Sequence, residues 1–89
     1  MKETEFRRFL ENQQLSDNGV AYRLSRGRAA EEILGYSLDT AVSSDDMMYD
    51  SLVKLVPNDD FSRGKQNALR KYYTFIHGKE FPKLDYYKR

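Results

Sequence analysis

Cysteine is absent from this 89-residue chain. That excludes a disulfide framework and a thiolate zinc site, and it fits a reducing compartment. Tryptophan is absent as well, histidine occurs once and proline twice. With one histidine and no thiol, neither a transition-metal site nor a Cys/His pair for nucleophilic catalysis is expected. No apolar run approaches the roughly 20 residues that span a bilayer. The first residues, MKETEFRRFLENQQ, lack the apolar stretch of a signal peptide. The expectation is a cytoplasmic protein that needs no membrane and no small-molecule cofactor.

The length bounds the rest. It gives one small domain, with room for about three to five short helices but not for a catalytic barrel. Leu, Ile, Val and Phe number 20, near the lower edge for a chain that folds. Seven Tyr and three Met add core material. The net charge of +1 conceals a segregation. Residues 1–35 carry six basic and six acidic side chains. Residues 36–60 carry one Lys against six Asp, and residues 61–89 carry eight basic against two acidic side chains. Such separation either makes a basic face for an anionic partner or lets the acidic middle pair with the basic end inside the fold.

Apolar spacing predicts four helices. Phe6, Phe9 and Leu10 make one stripe at i, i+3 and i+4 over residues 4–13. Ser16 is placed to cap a second helix from about Asp17 to Leu34, with Asp17 at the positive end of its dipole. Val20, Leu24, Gly27, Ala30 or Glu31, and Leu34 trace its inner face, and Gly35 ends it. Residues 36–43 read as a connection. Ser44 then caps a third helix whose apolar positions are Met48, Tyr49, Leu52, Leu55 and Val56, stopped at Pro57. Ser62 is the expected cap of a fourth helix over 63–77, with Leu69, Tyr72, Tyr73 and Ile76 inward, Ala68 and Phe75 at the margins, and Gly78 as its stop. The tail 79–89 is basic and aromatic without a clear period. It reads as a short helix, a docking segment or the start of a linker. No segment alternates with period two, so the fold class is all-α, a bundle of four short helices, or five if the tail folds.

Candidate chemistry is sparse. His77 stands at a helix C-terminus, where its ordinary role is to meet the last carbonyls or the dipole. Asp45-Asp46 and Asp59-Asp60 fall at helix starts or loops, where Asp is favoured without any metal or acid–base role. Gly27, between Arg26 and Arg28, reads as a close helix contact rather than a phosphate cradle. Tyr72 and Tyr73 read as core. Tyr86 and Tyr87, beside Lys88 and Arg89, could stack on bases or sit in an interface.

The stretch Ser62–Lys71 says more. With Leu69, Tyr72, Tyr73 and Ile76 inward, Arg63, Lys65 or Gln66, Arg70 and Lys71 face solvent. A helix N-terminus offers free amides to phosphate, and long basic and amide side chains reach phosphates and base edges. The alternative is an ordinary solvated face.

The order FRRFL, LSDNGVAYRLSRGRAAEEIL, an acidic third helix and FSRGKQNALRKYYTFIHG resembles the N-terminal core-binding domain of tyrosine recombinases and phage integrases. That domain is a small SAM-like helical bundle, and the resemblance covers roughly residues 4–78. Its most specific stretch is QNALRKYYTFIHG. The resemblance implies double-stranded DNA binding, with the second and fourth helices approaching the major groove. Carried over by position, it offers Arg23 and Arg26 from the second helix, and Arg63, Lys65, Gln66, Arg70 and Lys71 from the fourth. A C-terminal catalytic domain is the partner such a module has in that family. The recombinase catalytic elements are absent from the chain: His77 is followed three positions later by Glu80 rather than Arg, and none of the Tyr residues can be assigned as nucleophile.

Two functions follow. The first is a non-catalytic DNA-binding module. The second is a protein-interaction module or small phage-type inhibitor, docking on a nuclease or nucleic-acid machine through the acidic segment 39–60. A row of Asp can imitate phosphate to a basic partner.

Overall fold

Ser16 opens the longest helix by accepting the Gly19 N–H at 3.1 Å, and Gly35 closes it in the left-handed conformation at φ 81°. Around that helix a computed structural model, describing residues 1–88, arranges four others. The helices are α1 (Glu3–Asn12), α2 (Asp17–Leu34), α3 (Leu38–Ala41), α4 (Asp45–Leu55) and α5 (Gly64–His77). Single 3₁₀ turns occupy Val56–Asn58 and Leu84–Tyr86. Arg89, the last residue of the basic tail, lies outside the described residues. Among those residues there is no strand, and the chain is an all-α bundle.

One core joins every helix. Phe6 and Leu10 enter it from α1. Val20, Leu24, Ala30 and Leu34 enter from α2, Met48, Leu52 and Leu55 from α4, and Leu69, Tyr72 and Tyr73 from α5. Each buried Leu contributes about 1.5–3 kcal/mol relative to exposure. Aromatic rings fasten α1 to α5: Phe6 lies edge-on to Tyr72 at 5.0 Å, and Phe75 sits 5.6 Å from Phe6 and 5.4 Å from Phe9. Gly27 is buried where a Cβ would meet Met1 and Leu38 at 3.3–3.4 Å, the close contact its sequence position implies.

The structure corrects five details of the sequence reading. The 36–43 connection contains α3, capped by Ser37 accepting the Thr40 N–H at 3.1 Å, with Leu38, Ala41 and Val42 buried. One helical turn is too short to show a period. Val56 is exposed because it already belongs to the 3₁₀ turn Val56–Asn58 that follows α4.

Ser62 does not cap α5. Asp59 and Asp60 do so from the preceding loop. Ile76 points outward, and Phe75 packs inward in its place because the rings of α1 lie on that side of α5. Finally, His77 does not serve its own helix end. Its ring lies 4.4 Å from Tyr73, and Nε2 donates to the Val42 carbonyl at 2.7 Å.

The tail docks as part of the same body. Phe81 is buried in the core, edge-on to Tyr73 at 5.2 Å, and Tyr87 lies 5.4 Å from Tyr49 and 5.1 Å from Phe81. At the other end of the chain, the Met1 amino group meets Glu31 at 3.0 Å and Asp39 at 3.1 Å. The backbone N–H of Lys2 donates to the Tyr72 hydroxyl at 2.9 Å.

Candidate nucleic-acid interface

Arg63, Gln66, Asn67, Arg70 and Thr74 recur along α5 and its N-cap at spacings of three and four, which puts them on one helix face. Arg23 of α2 stands across from that face. Gln13, from the loop after α1, and Lys83 and Leu84, from the docked tail, close the sides. Together these residues line an open groove of about 680 Å³. Its lining carries five basic side chains, Arg23, Arg63, Arg70, Lys71 and Lys83, against two acidic ones, Glu80 and Asp85. Five of the seven residues expected from sequence therefore meet here: Arg23, Arg63, Gln66, Arg70 and Lys71.

They differ in how free they are. Arg63 is exposed, and its side chain makes no ion pair among the described residues. Its backbone sits at φ 60°, the left-handed region that costs a non-glycine residue about 1 kcal/mol or more. Arg23 keeps Nε buried without a hydrogen-bond partner among the described residues. Lys71 donates from Nζ to Gln13 Oε1 at 3.0 Å.

Arg70 is committed to structure. Its Nη1 donates to the Phe81 carbonyl at 2.9 Å and the Pro82 carbonyl at 3.2 Å, and its guanidinium lies 5.9 Å from the Phe81 ring centre. It is a tie that holds the tail against α5.

Arg26 and Lys65 fall outside the groove. Arg26 pairs with Asp60 at 3.3 Å and stacks over Tyr22 at 5.4 Å. Lys65 lies 3.9 Å from Asp59 and is mostly buried. Sequence reasoning missed Asn67 and Lys83. Asn67 was legible, four positions after Arg63 on the same helix face. Lys83 was not, because the docking of the tail brings it in.

The first turn of α5 is not open to phosphate, contrary to the sequence expectation. Asp59 Oδ1 accepts the N–H of Lys65 and Asp59 Oδ2 that of Gln66, both at 2.9 Å, while Asp60 Oδ1 accepts that of Gly64 at 2.9 Å. Burial pushes the Asp59 carboxyl upward, but the N–H groups of Gln66, Lys65 and Asp60 outweigh it and hold the pKa below 3.8. A carboxylate already occupies the positive end of the helix dipole.

The acidic middle is similarly spent within the fold. Tyr72 donates to Asp39, Tyr73 donates to Asp45 at 2.7 Å and Tyr87 donates to Asp46 at 2.8 Å. Burial, reinforced by the bond to Asp45, raises the Tyr73 phenol to about 12. Burial, reinforced by the bond to Asp39, raises the Tyr72 phenol further. For Asp39, burial works upward and is outweighed by bonds from Tyr72 and the Met1 amino group, so its pKa is lowered.

Among the described residues no three metal-ligating side chains gather, and no helix is long and apolar enough to cross a membrane. No known protein family, curated protein or solved structure matches the chain.

Proposed function

We propose that this domain is a non-catalytic module that binds duplex DNA, in keeping with its resemblance to recombinase core-binding domains. The groove between α2, α5 and the tail carries the reading. It gathers guanidinium and ammonium groups around the amides of Gln66 and Asn67. Cations of that kind meet phosphates, and amides can read base edges. Arg23, Arg63, Lys71 and Lys83 are the phosphate contacts. Arg70 orders the tail that forms one wall.

The docking alternative through Asp45, Asp46 and Asp50 has less support. The Asp45 and Asp46 carboxylates already accept phenol hydrogens.

The test is fluorescence anisotropy with a labelled duplex of about 20–30 base pairs across a salt series. Three or four phosphate contacts give a slope of log K against log salt of about −3 to −4. The triple variant Arg23→Ala, Arg63→Ala, Lys71→Ala flattens that slope while keeping the helical circular dichroism of the parent. Absence of binding at low salt, or parent-like binding by the triple variant, overturns the reading.

A further inference from the structure

We infer that Phe61 is a stacking platform for an unpaired base of the DNA held in the groove, so that the domain prefers a duplex with an extruded or bulged nucleotide. The inference rests on the DNA-binding reading and names the substrate class more closely.

Phe61 is fully exposed, in a chain that buries Phe6 and Phe81 and packs Phe9 and Phe75 against the core. It does not sit on a slack loop. The Arg63 N–H donates to the Asp60 carbonyl at 3.1 Å, which makes Asp60–Arg63 a tight turn with Phe61 at its first corner. Both neighbours of Phe61 are fastened. Asp60 Oδ1 accepts from Ser62 Oγ and from the Gly64 N–H, each at 2.9 Å, and the Ser62 carbonyl accepts from Asn67 Nδ2 at 3.3 Å. The turn ends on Arg63, whose φ of 60° is a conformation the surrounding bonds impose. The backbone that carries this exposed apolar ring is thus fixed.

Its surroundings identify the occupant. Phe61 lines a smaller concavity of about 460 Å³ that shares Arg63, Gln66 and Leu84 with the cationic groove. A polyanion lying in the groove passes this rim. A nucleobase is the part of such a polymer that offers a flat π-face to Phe61 and hydrogen-bonding edges to Gln66. A base inside an intact duplex must first be unstacked, whereas an unpaired one has already lost its partner, so the unpaired base is favoured.

The experiment compares a perfect duplex with the same duplex carrying a single 2-aminopurine bulge, against the parent, Phe61→Ala and Phe61→Trp. Stacking of one base predicts about tenfold tighter binding of the bulged duplex by the parent. The 2-aminopurine fluorescence should change on binding. Phe61→Ala should lose both effects and keep parent-like affinity for the perfect duplex. Phe61→Trp should retain them. Because Phe61 is fully exposed, Phe61→Ala keeps the fold, and a thermal melt checks this. A bulge preference that survives Phe61→Ala, or equal affinity of the parent for both duplexes, overturns the stacking role and leaves the DNA-binding reading standing. No binding to either duplex overturns both.

Discussion

Asp59 accepts the backbone N–H of Gln66, seven positions along the chain, through Oδ2 at 2.9 Å, while its other oxygen takes the N–H of Lys65. One buried carboxylate thereby starts the helix that forms one wall of the groove. Asp59→Ala leaves first-turn donors without partners and should cost about 2–3 kcal/mol. A urea melt measures it. A loss below about 0.5 kcal/mol would mean that α5 starts without this cap.

Stability should depend on pH at both extremes. Asp39 and Asp59 have pKa values lowered from 3.8 in the folded chain, so their contribution is present above that value and disappears as pH falls through the lower folded values. The Met1 amino group is raised from 8.0. Burial alone would lower it, and the bonds to Glu31 and Asp39 prevail. Tyr73 is raised from 10.0 to about 12. Groups shifted upward stabilise below their unfolded values and lose that effect as pH climbs through the folded ones. Denaturant melts across pH should show a plateau from about pH 5 to 7.5, a fall below about pH 4, and a two-stage fall beginning near pH 8 and steepening past about pH 10.

Phe81 of the tail and Ile76 of the last turn of α5 should respond differently to truncation. Phe81 is 4% exposed and ties the tail to the core, so Phe81→Ala should cost about 3–5 kcal/mol. Ile76 is 38% exposed, so Ile76→Ala should cost less than about 1 kcal/mol. Equal losses in chemical denaturation would contradict both the docked tail and the orientation of the last turn of α5.

The strain at Arg63 separates binding from stability. Gly adopts φ 60° without a steric cost, so Arg63→Gly should leave the melting temperature unchanged or slightly higher. It also removes an exposed guanidinium from the groove, and duplex affinity should fall about five- to tenfold at low salt. A variant that melts earlier than the parent would show that the Arg63 side chain supports the fold.

Much of this architecture is legible from apolar spacing. Phe6 with Leu10, Val20 with Leu24, Met48 with Leu52, and Leu69 with Tyr72 and Tyr73 each sit three or four residues apart and each pair is buried. Ser16 and Ser44 cap where their positions imply. The rest depends on contacts that no local pattern encodes. Leu38 and Ala41 occupy a helix of one turn. Asp59 lies in the loop after Pro57, and only the fold shows that it, rather than Ser62, caps the next helix.

Within the groove, Arg63, Gln66, Arg70 and Lys71 share one helix and were legible together. The diversion of Arg70 to the Phe81 and Pro82 carbonyls could be known only once the tail had a place. Arg26 and Lys65 were lost to carboxylates at positions 60 and 59 for the same reason. Phe61 stood out in neither apolar stripe, and its exposure is a property of the turn that holds it.

The rings of Phe6 and Phe9 rest on Tyr72 and Phe75, and the Lys2 N–H reaches Tyr72 across 70 positions. During synthesis, therefore, α1 emerges before α5 yet finds its aromatic partners only after α5 has been made, a delay of about 3–14 s at ordinary elongation rates. Until then part of its apolar stripe is open to whatever meets the nascent chain, and a helix made well before α5 must wait for α5 to settle.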